Sequence, residues 1–212
     1  MAIYHLNLKP ISRSSGHTAG NALAYETGQK LTSIDGKEVD FSQKSGVEST
    51  QIIGYQGDLQ RLADSIELSE KRKNSTLGRR MTIALPSELS KEQRIDAAQE
   101  YGRWLNKEFG VAVVVSTHAP DKEGDKRNHH AHITMSDRRC DGAKFGEKAR
   151  ELTCMTKKLG VDGVPRAKIS LNKMREKWEH VANTALFLAD SGEQISHKSN
   201  KERGIEQQPT VH

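Results

Sequence analysis

The 212-residue chain has a net charge of +5, and 34% of its residues are hydrophobic. This length predicts a single domain that is large enough to bury a sizeable core beneath a polar surface. Its two cysteines have no CxxC spacing, which excludes a disulfide framework and a thiolate metal site. No apolar stretch approaches the roughly 18 residues of a membrane span. The N-terminal residues lack the basic and then apolar pattern of a signal peptide, so we expect a cytoplasmic protein without a membrane segment.

Hydrophobic spacing and turn residues predict eight elements in the order β-α-α-β-α-β-β-α. Strands are predicted at residues 2–9, 79–86, 111–118 and about 129–138, and helices at residues 18–28, 58–73, 90–110 and 171–190. Ser90 and Gln93 form a capping box at the start of the third helix. Residues 33–58 are polar and glycine-punctuated, so we expect a loop with short extended pieces there. Residues 143–170 are basic and irregular.

This order of elements predicts an α+β fold. The strands at 111–118 and 129–138 are joined by a long loop, yet they can still pair antiparallel. Helices interspersed with such strands predict a central antiparallel β-sheet with helices packed on one face. We expect residues 1–190 to form this domain, and residues 191–212 to be a polar tail that links to further domains.

Positive charge is concentrated in two segments. Residues 71–80 contain five basic residues and no acid, and residues 138–177 contain twelve basic residues against five acids. Such runs occur on solvated helix faces, and they also occur where a protein binds phosphates. Only 5% of the residues are aromatic, so extensive stacking on nucleic-acid bases is excluded.

The stretch NHHAHITMS at residues 128–136 places three histidines within four positions. Successive side chains of a strand point to opposite faces. His130 and His132 therefore share a polar face, whereas His129 points with Ala131 and Ile133 to the apolar core face. Two rings on one strand face start about 6–7 Å apart, so both can reach one ion.

His118, at the end of the preceding strand, is the natural third imidazole for such an ion, because its strand is expected to pair with the strand of His130 and His132. Three neutral imidazoles leave open positions for water or a phosphate oxygen, and they do not identify the metal. Zn²⁺, Mn²⁺, Ni²⁺ and Mg²⁺ all remain candidates. The alternative is that these histidines are surface or hydrogen-bonding residues without a metal.

Several motifs together resemble the MobA/MobL family of plasmid relaxases, which are conjugative DNA-nicking enzymes of the HUH (His-hydrophobe-His) superfamily. The motifs that carry the resemblance are MAIYHLNLKPISRSSGHTAGNALAYETG, LGRRMTIALPSELS, VVVSTHAPDKEGDKRNHHAHITMS, KMREKWEHVANTAL and GIEQQPTVH. They cover essentially the whole chain in order. The resemblance implies an HUH fold with helices on one sheet face and the metal and DNA cleft on the other.

The resemblance also implies the site residues. Tyr25 falls on the nucleophilic tyrosine of the family, and His118, His130 and His132 fall on its three metal ligands. The expected cofactor is a divalent ion, Mg²⁺ or Mn²⁺, with Zn²⁺ and Ni²⁺ left open. The expected reaction is metal-dependent, strand-specific nicking through a 5′-phosphotyrosyl intermediate. A lone tyrosine on an alanine-rich helix is otherwise usually a packing residue.

The same resemblance implies a plasmid-encoded bacterial protein and its partners. These are a single-stranded or hairpin origin of transfer, accessory relaxosome proteins and a coupling protein. The residues predicted to contact DNA are Arg13, Lys71, Arg72, Lys73, Arg79, Arg80, Arg138, Arg139 and Lys144. Glu88 matches a recurrent glutamate of the family, and we expect it either to support a ligand histidine or to cap the following helix.

The chain departs from the family pattern at two places. His129 occupies a position that is often proline, and Arg80 and Thr82 stand in a strand where some relatives carry acidic residues. Two alternatives remain open: a related HUH replication initiator or transposase, and a non-catalytic basic nucleic-acid-binding module. The tyrosine precedes the H-x-H motif, an order that favours a relaxase over an initiator.

Overall fold

The computed structural model describes residues 2–153 and 163–206. The elements are strands β1 (Leu6–Ser12), β2 (Lys30–Thr32), β3 (Glu38–Asp40), β4 (Val47–Ile53), β5 (Thr76–Ala84), β6 (Val111–His118), β7 (His130–Cys140) and β8 (Phe145–Lys148), and helices α1 (Ala19–Thr27), α2 (Leu59–Ser69), α3 (Lys91–Phe109), α4 (Arg150–Thr153) and α5 (Arg166–Leu188). No helix in these described ranges is both long and apolar enough to cross a bilayer.

The predicted α+β fold with a central antiparallel sheet is confirmed. The strand order is β1-β5-β7-β6-β4, with β8 paired to the far end of β7 and β2–β3 forming a separate hairpin. As expected, β6 and β7 pair antiparallel, and their register sets His118 opposite His130 and Ser116 opposite His132. The ligand candidates therefore lie at one end of the two central strands.

One face of the sheet is covered by α3 and α5, as expected. Strand residues such as Met81, Val113 and Ile133 pack against Tyr101 of α3 and Trp178 of α5 in one buried cluster. The predicted capping box fixes the start of α3, and a glycine with left-handed φ ends it. Burying large side chains of this kind contributes roughly 1.5–3 kcal/mol each, so this cluster anchors the sheet.

Helices α1 and α2 pack on part of the opposite face, which the sequence did not predict. Leu23 of α1 and Leu62 of α2 are buried in a second cluster with Leu77, Ala112 and Val114 of the sheet. Ala112 and Val114 alternate with the residues of β6 that face α3, so the second cluster occupies the histidine face. This packing brings α1 next to the ligand candidates.

Other differences from the prediction lie at the edges of the fold. The segment predicted as a loop with short extended pieces at 33–58 contains β3 and also β4, a seven-residue edge strand whose side chains are all half-buried. Half-buried residues give no clean alternation of polar and apolar side chains, so the sequence pattern did not indicate this strand. Beyond residue 190, Ile195 is buried in the core beside α5, and its backbone exchanges hydrogen bonds with the Asn183 side chain. The first part of the predicted tail therefore packs on the domain.

Candidate active site

The three histidines predicted as ligands converge at the ends of β6 and β7. Their ring centroids are 5.1 Å apart for His118 and His130, 4.9 Å for His118 and His132, and 5.1 Å for His130 and His132. One ring nitrogen of each lies within 4.8 Å of the other two, a spacing that suits one shared metal ion. Three imidazole nitrogens are suitable ligands for a divalent transition metal, or for a metal that also binds a phosphate.

Each imidazole has one ring nitrogen within hydrogen-bonding distance of an oxygen atom. His130 Nδ1 lies 3.1 Å from the backbone oxygen of Asn128, and His132 Nδ1 lies 3.3 Å from Thr82 Oγ1. His118 Nε2 lies 2.7 Å from the Glu26 backbone oxygen. A nitrogen that donates to a carbonyl carries the proton, so the second nitrogen of that ring keeps its lone pair. Bonds of this kind fix the tautomer and ring angle of metal-ligating histidines.

Two of the three imidazoles are held in the neutral form that binds cations. Burial, helped by the positive charges of Lys44 and His130 and opposed by the hydrogen bond to the Glu26 carbonyl, lowers the pKa of His118 to about 4. Burial also lowers the pKa of His132 to about 3, with smaller contributions from His118, His130 and Lys44. At neutral pH these two rings are therefore ready to bind a metal without first losing a proton.

The same shifts predict that acid destabilises the metal-free protein. Between pH 7 and 5 the unfolded chain binds protons on histidines of ordinary pKa, near 6.5, whereas the folded chain does not protonate His118 or His132. The free energy of unfolding should then fall by about 1–2 kcal/mol for each of the two over this interval. Urea unfolding at both pH values in the presence of a chelator measures the loss.

A His132→Gln variant is the control for this pH dependence. It removes one of the two shifted groups, so its loss of stability between pH 7 and 5 should be smaller than that of the wild type. An equal loss in both proteins would show that His132 does not carry the effect.

The structure places Tyr25 beside these histidines. Its ring centroid is 6.4 Å from that of His132, and the Phe41 ring packs edge-on against it at 5.3 Å. Tyr25 remains 42% exposed, so a ligand in solution can reach it. The carbonyl that accepts from His118 belongs to the next residue, Glu26, so α1 is tied to the cluster through its backbone.

Glu26 is a member of this site that sequence reasoning missed. It is only 1% exposed, and its carboxylate forms an ion pair with Arg80 and accepts a hydrogen bond of 2.5 Å from Thr134. Burial raises the pKa of Glu26, and the Arg80 charge opposes that rise. The position of Thr134 on the histidine face was a usable signal, because a buried hydroxyl there needs a partner.

Several basic residues predicted to contact DNA are paired with buried acids. Arg80 is paired with Glu26. Arg13 donates to the Glu67 carboxylate and to three backbone oxygens, so all its guanidinium nitrogens are engaged. Arg138 is paired with Glu70. Counting basic residues overestimates the free positive charge where such acids lie beneath them.

Two further arginines of that set are also engaged. Arg79 lies 3.8 Å from Asp137, and Arg139 is paired with Glu151 and donates to the Phe109 backbone oxygen. Besides Arg139, which is exposed but paired, the members of the set that are exposed to solvent are Lys71, Arg72, Lys73 and Lys144. These four are the better candidates for phosphate contacts, which stay a prediction for all nine residues.

His129 and Glu88 lie away from the histidine cluster. His129 is on the side of the sheet that carries α3, where burial and the charge of Arg94 lower its pKa. This placement follows the alternation of β7. Glu88 lies in the turn before α3, and its carboxylate accepts from the Ser87 hydroxyl at 3.3 Å. Its suggested support of a ligand histidine stays a prediction.

Comparison with known proteins gives one family and several relatives. The model of the MobA/MobL family matches residues 17–212. The mobilization protein MobL of Acidithiobacillus ferridurans is 36% identical over all of this chain and 62% of its own length. The probable mobilization protein MobA of Bifidobacterium longum is 27% identical over all of this chain and 43% of its own length. The chain thus spans about half the length of these two relatives.

A solved structure described as the molecular basis of vancomycin resistance transfer in Staphylococcus aureus is similar in fold. It superposes with a TM-score of 0.77 at 25% sequence identity, covering 93% of this chain and 100% of the other.

Proposed function

The chain belongs to the MobA/MobL family of plasmid-mobilisation relaxases, and from this premise we propose that it nicks one strand of an origin of transfer and rejoins it. The observation that carries the proposal is the position of Tyr25, whose ring lies 6.4 Å from that of His132 at the edge of the three-histidine cluster. A nucleophile and a cation site side by side are what phosphodiester transfer needs.

In the proposed reaction, the Tyr25 hydroxyl oxygen attacks the scissile phosphorus. A bond forms between that oxygen and phosphorus, and the bond from phosphorus to the 3′ oxygen breaks. The phenol loses its proton and the departing 3′ oxygen gains one, which leaves a 5′-phosphotyrosyl strand and a free 3′-hydroxyl. One phosphodiester replaces another, so a 3′-hydroxyl can attack in reverse and reseal the strand.

His118, His130 and His132 would hold the divalent metal in this proposal. The fit rests on their donor chemistry: three imidazoles share one locus, and two of them are held neutral by burial. When bound, such an ion withdraws negative charge from the phosphate that is attacked. Mg²⁺ and Mn²⁺ are the ions we expect, and Zn²⁺ and Ni²⁺ fit an all-imidazole site as well.

The partner that we propose is the single-stranded or hairpin DNA of an origin of transfer. The exposed basic residues Lys71, Arg72, Lys73 and Lys144 supply charge for its phosphates. Base-edge contacts and DNA shape, rather than aromatic stacking, would give sequence specificity. Accessory relaxosome proteins and a coupling protein belong to the same proposal, in a plasmid-encoded protein that acts in the bacterial cytoplasm.

Nicking of supercoiled plasmid tests the function. With Mg²⁺ or Mn²⁺, the protein should convert a plasmid that carries its cognate origin to the open-circular form, and a plasmid without that origin should stay supercoiled. A chelator in excess should stop the conversion, and added metal should restore it. Binding without nicking, in every metal tried, would favour a non-catalytic DNA-binding module. Nicking that survives the chelator would contradict the metal-dependent mechanism.

A further inference from the structure

The segment at residues 41–46, between β3 and β4, is hydrogen-bonded to the chain just after α1 and just after β6. Near α1, the Phe41 backbone N–H donates to the Gln29 carbonyl at 3.3 Å. Near β6, the N–H of Ala119, which follows His118, donates to the Gly46 carbonyl at 2.8 Å. Both ends of the segment are thus anchored beside the candidate site, so the backbone between them is restrained there.

Gly28 shows how closely this segment approaches α1. Its φ is +62°, and a Cβ built on it would lie 2.9 Å from a methyl group of Val47 and 3.6 Å from the Lys44 carbonyl oxygen. Only glycine takes this conformation readily and leaves that space. The last turn of α1, which carries Tyr25, is therefore covered by the chain around Lys44.

The Lys44 side chain contacts Tyr25 twice. Its ammonium nitrogen lies 3.7 Å from the centroid of the Tyr25 ring. The same nitrogen donates to the Tyr25 backbone oxygen at 2.9 Å. A cation over an aromatic face is attracted by the ring electrons, and a cation at a helix C-terminus is stabilised by the last carbonyls. Lys44 therefore covers one face of the ring, and the Phe41 and His132 rings lie at steep angles to it with centroids 5.3 and 6.4 Å away.

The ammonium group of Lys44 forms no ion pair with a carboxylate among the described residues. Burial lowers the Lys44 pKa from its usual 10.5, and the more distant charges of Glu26 and Asp121 oppose that shift. The charge reaches the histidines, because it contributes to the lowered pKa of both His118 and His132.

We propose that Lys44 is a positioning residue for strand transfer, which holds the Tyr25 ring toward the histidine cluster by its two contacts with that residue. This role rests on the proposed function, since a ring that is held in place matters for catalysis only if Tyr25 is the nucleophile. Small displacements of a reacting group lower the rate of attack without a matching loss of substrate affinity.

Three variants separate this role from a general attraction for DNA. Lys44→Met keeps most of the length of the side chain and removes its charge, and Lys44→Arg keeps both a cation and a donor. Lys37→Met removes an exposed lysine of the neighbouring β2–β3 turn. Single-turnover cleavage of an origin oligonucleotide is measured at saturating protein, and the dissociation constant is measured separately by fluorescence anisotropy.

Lys44→Met should lower the single-turnover rate by about 10-fold while changing the dissociation constant by less than about 3-fold. Lys44→Arg should stay within about 3-fold of the wild-type rate, and Lys37→Met should behave as the wild type. A Lys44→Met rate within about 2-fold of the wild type would overturn the proposal. So would equal losses of DNA affinity in Lys44→Met and Lys37→Met.

A second readout needs no cleavage, so it separates failure of this inference from failure of the proposed function. The protein is labelled with 3-fluorotyrosine, and Tyr25→Phe identifies the Tyr25 resonance in the ¹⁹F NMR spectrum. Lys44→Met should move that resonance, and Lys37→Met should leave it in place. If the wild type does not cleave, the proposed function fails while this spectrum still tests the contact. An unmoved resonance in Lys44→Met would show that Lys44 does not hold the ring.

Discussion

Replacing Tyr25 by phenylalanine is expected to lower DNA cleavage by about 1,000-fold or more, while the dissociation constant for the same DNA changes by less than about 3-fold. The substitution removes one oxygen, the atom that would form the bond to phosphorus. The ring can still pack against Phe41 and lie beside Lys44. Conversion of supercoiled plasmid to open circles measures the first quantity, and fluorescence anisotropy with an origin oligonucleotide measures the second.

Tyr55→Phe is the matched control, because it also removes one phenolic oxygen. The Tyr55 ring stacks on Phe145, and its hydroxyl bonds to Ser65 on α2, remote in the sheet from the histidines. This variant should cleave as the wild type does. Nicking by Tyr25→Phe at the wild-type rate would refute the covalent mechanism, and equal losses in both variants would point to a general loss of stability.

The second large effect is expected at the histidines. His130→Ala and His132→Ala should each lose most of the bound metal and lower cleavage by about 100-fold or more, because changes in the groups that merely support a ligand already cost 10–100-fold. Metal content after dialysis, read by inductively coupled plasma mass spectrometry, is the direct measurement. It depends on neither the origin sequence nor the nucleophile.

His129→Ala is the control for the histidine variants. It lies next to His130 and three residues from His132, but on the side of the sheet that faces α3 and Arg94. It should therefore keep its metal and its cleavage activity. If His129→Ala loses metal while His130→Ala keeps it, the assignment of the two faces of β7 is wrong.

The parts of the site that lie on adjacent strands could be predicted from the sequence. Alternation along residues 129–136 separates His129 from His130 and His132, and the long apolar strand before it places His118 opposite them. In the register of β6 and β7, His118 lies opposite His130, and His132 lies two residues further along the same face. This arrangement follows from the two-residue period of a strand, which tertiary packing does not alter.

Contacts between distant segments could not be predicted in this way. Tyr25 was a candidate only through the family resemblance, because an alanine-rich helix with little contrast between its faces does not show which side packs inward. Glu26 contacts Thr134, which is more than fifty residues away along the chain. Lys44 reaches Tyr25 from a loop without regular structure. No periodicity in the sequence encodes either contact.

The positive charge of the chain shows a related limit. The basic run at 71–80 was a candidate for phosphate contacts, yet Arg79 and Arg80 point to buried acids on other elements. A count of charges along the sequence does not show that Glu26 and Asp137 lie buried beneath these arginines. Edge strand β4 escaped prediction for a similar reason, since its residues are neither fully buried nor fully exposed.

The most direct test of covalent strand transfer is to identify the amino acid that becomes joined to DNA. The protein is incubated with an origin oligonucleotide and divalent metal, denatured, digested with trypsin, and analysed by mass spectrometry. Cleavage after Arg13 and Lys30 releases the peptide SSGHTAGNALAYETGQK, in which Tyr25 is the sole tyrosine. We predict that this peptide carries the 5′-phosphate of the cleaved strand on Tyr25. Recovery of the DNA on any other peptide, or of cleaved strands without attached peptide, would contradict the mechanism.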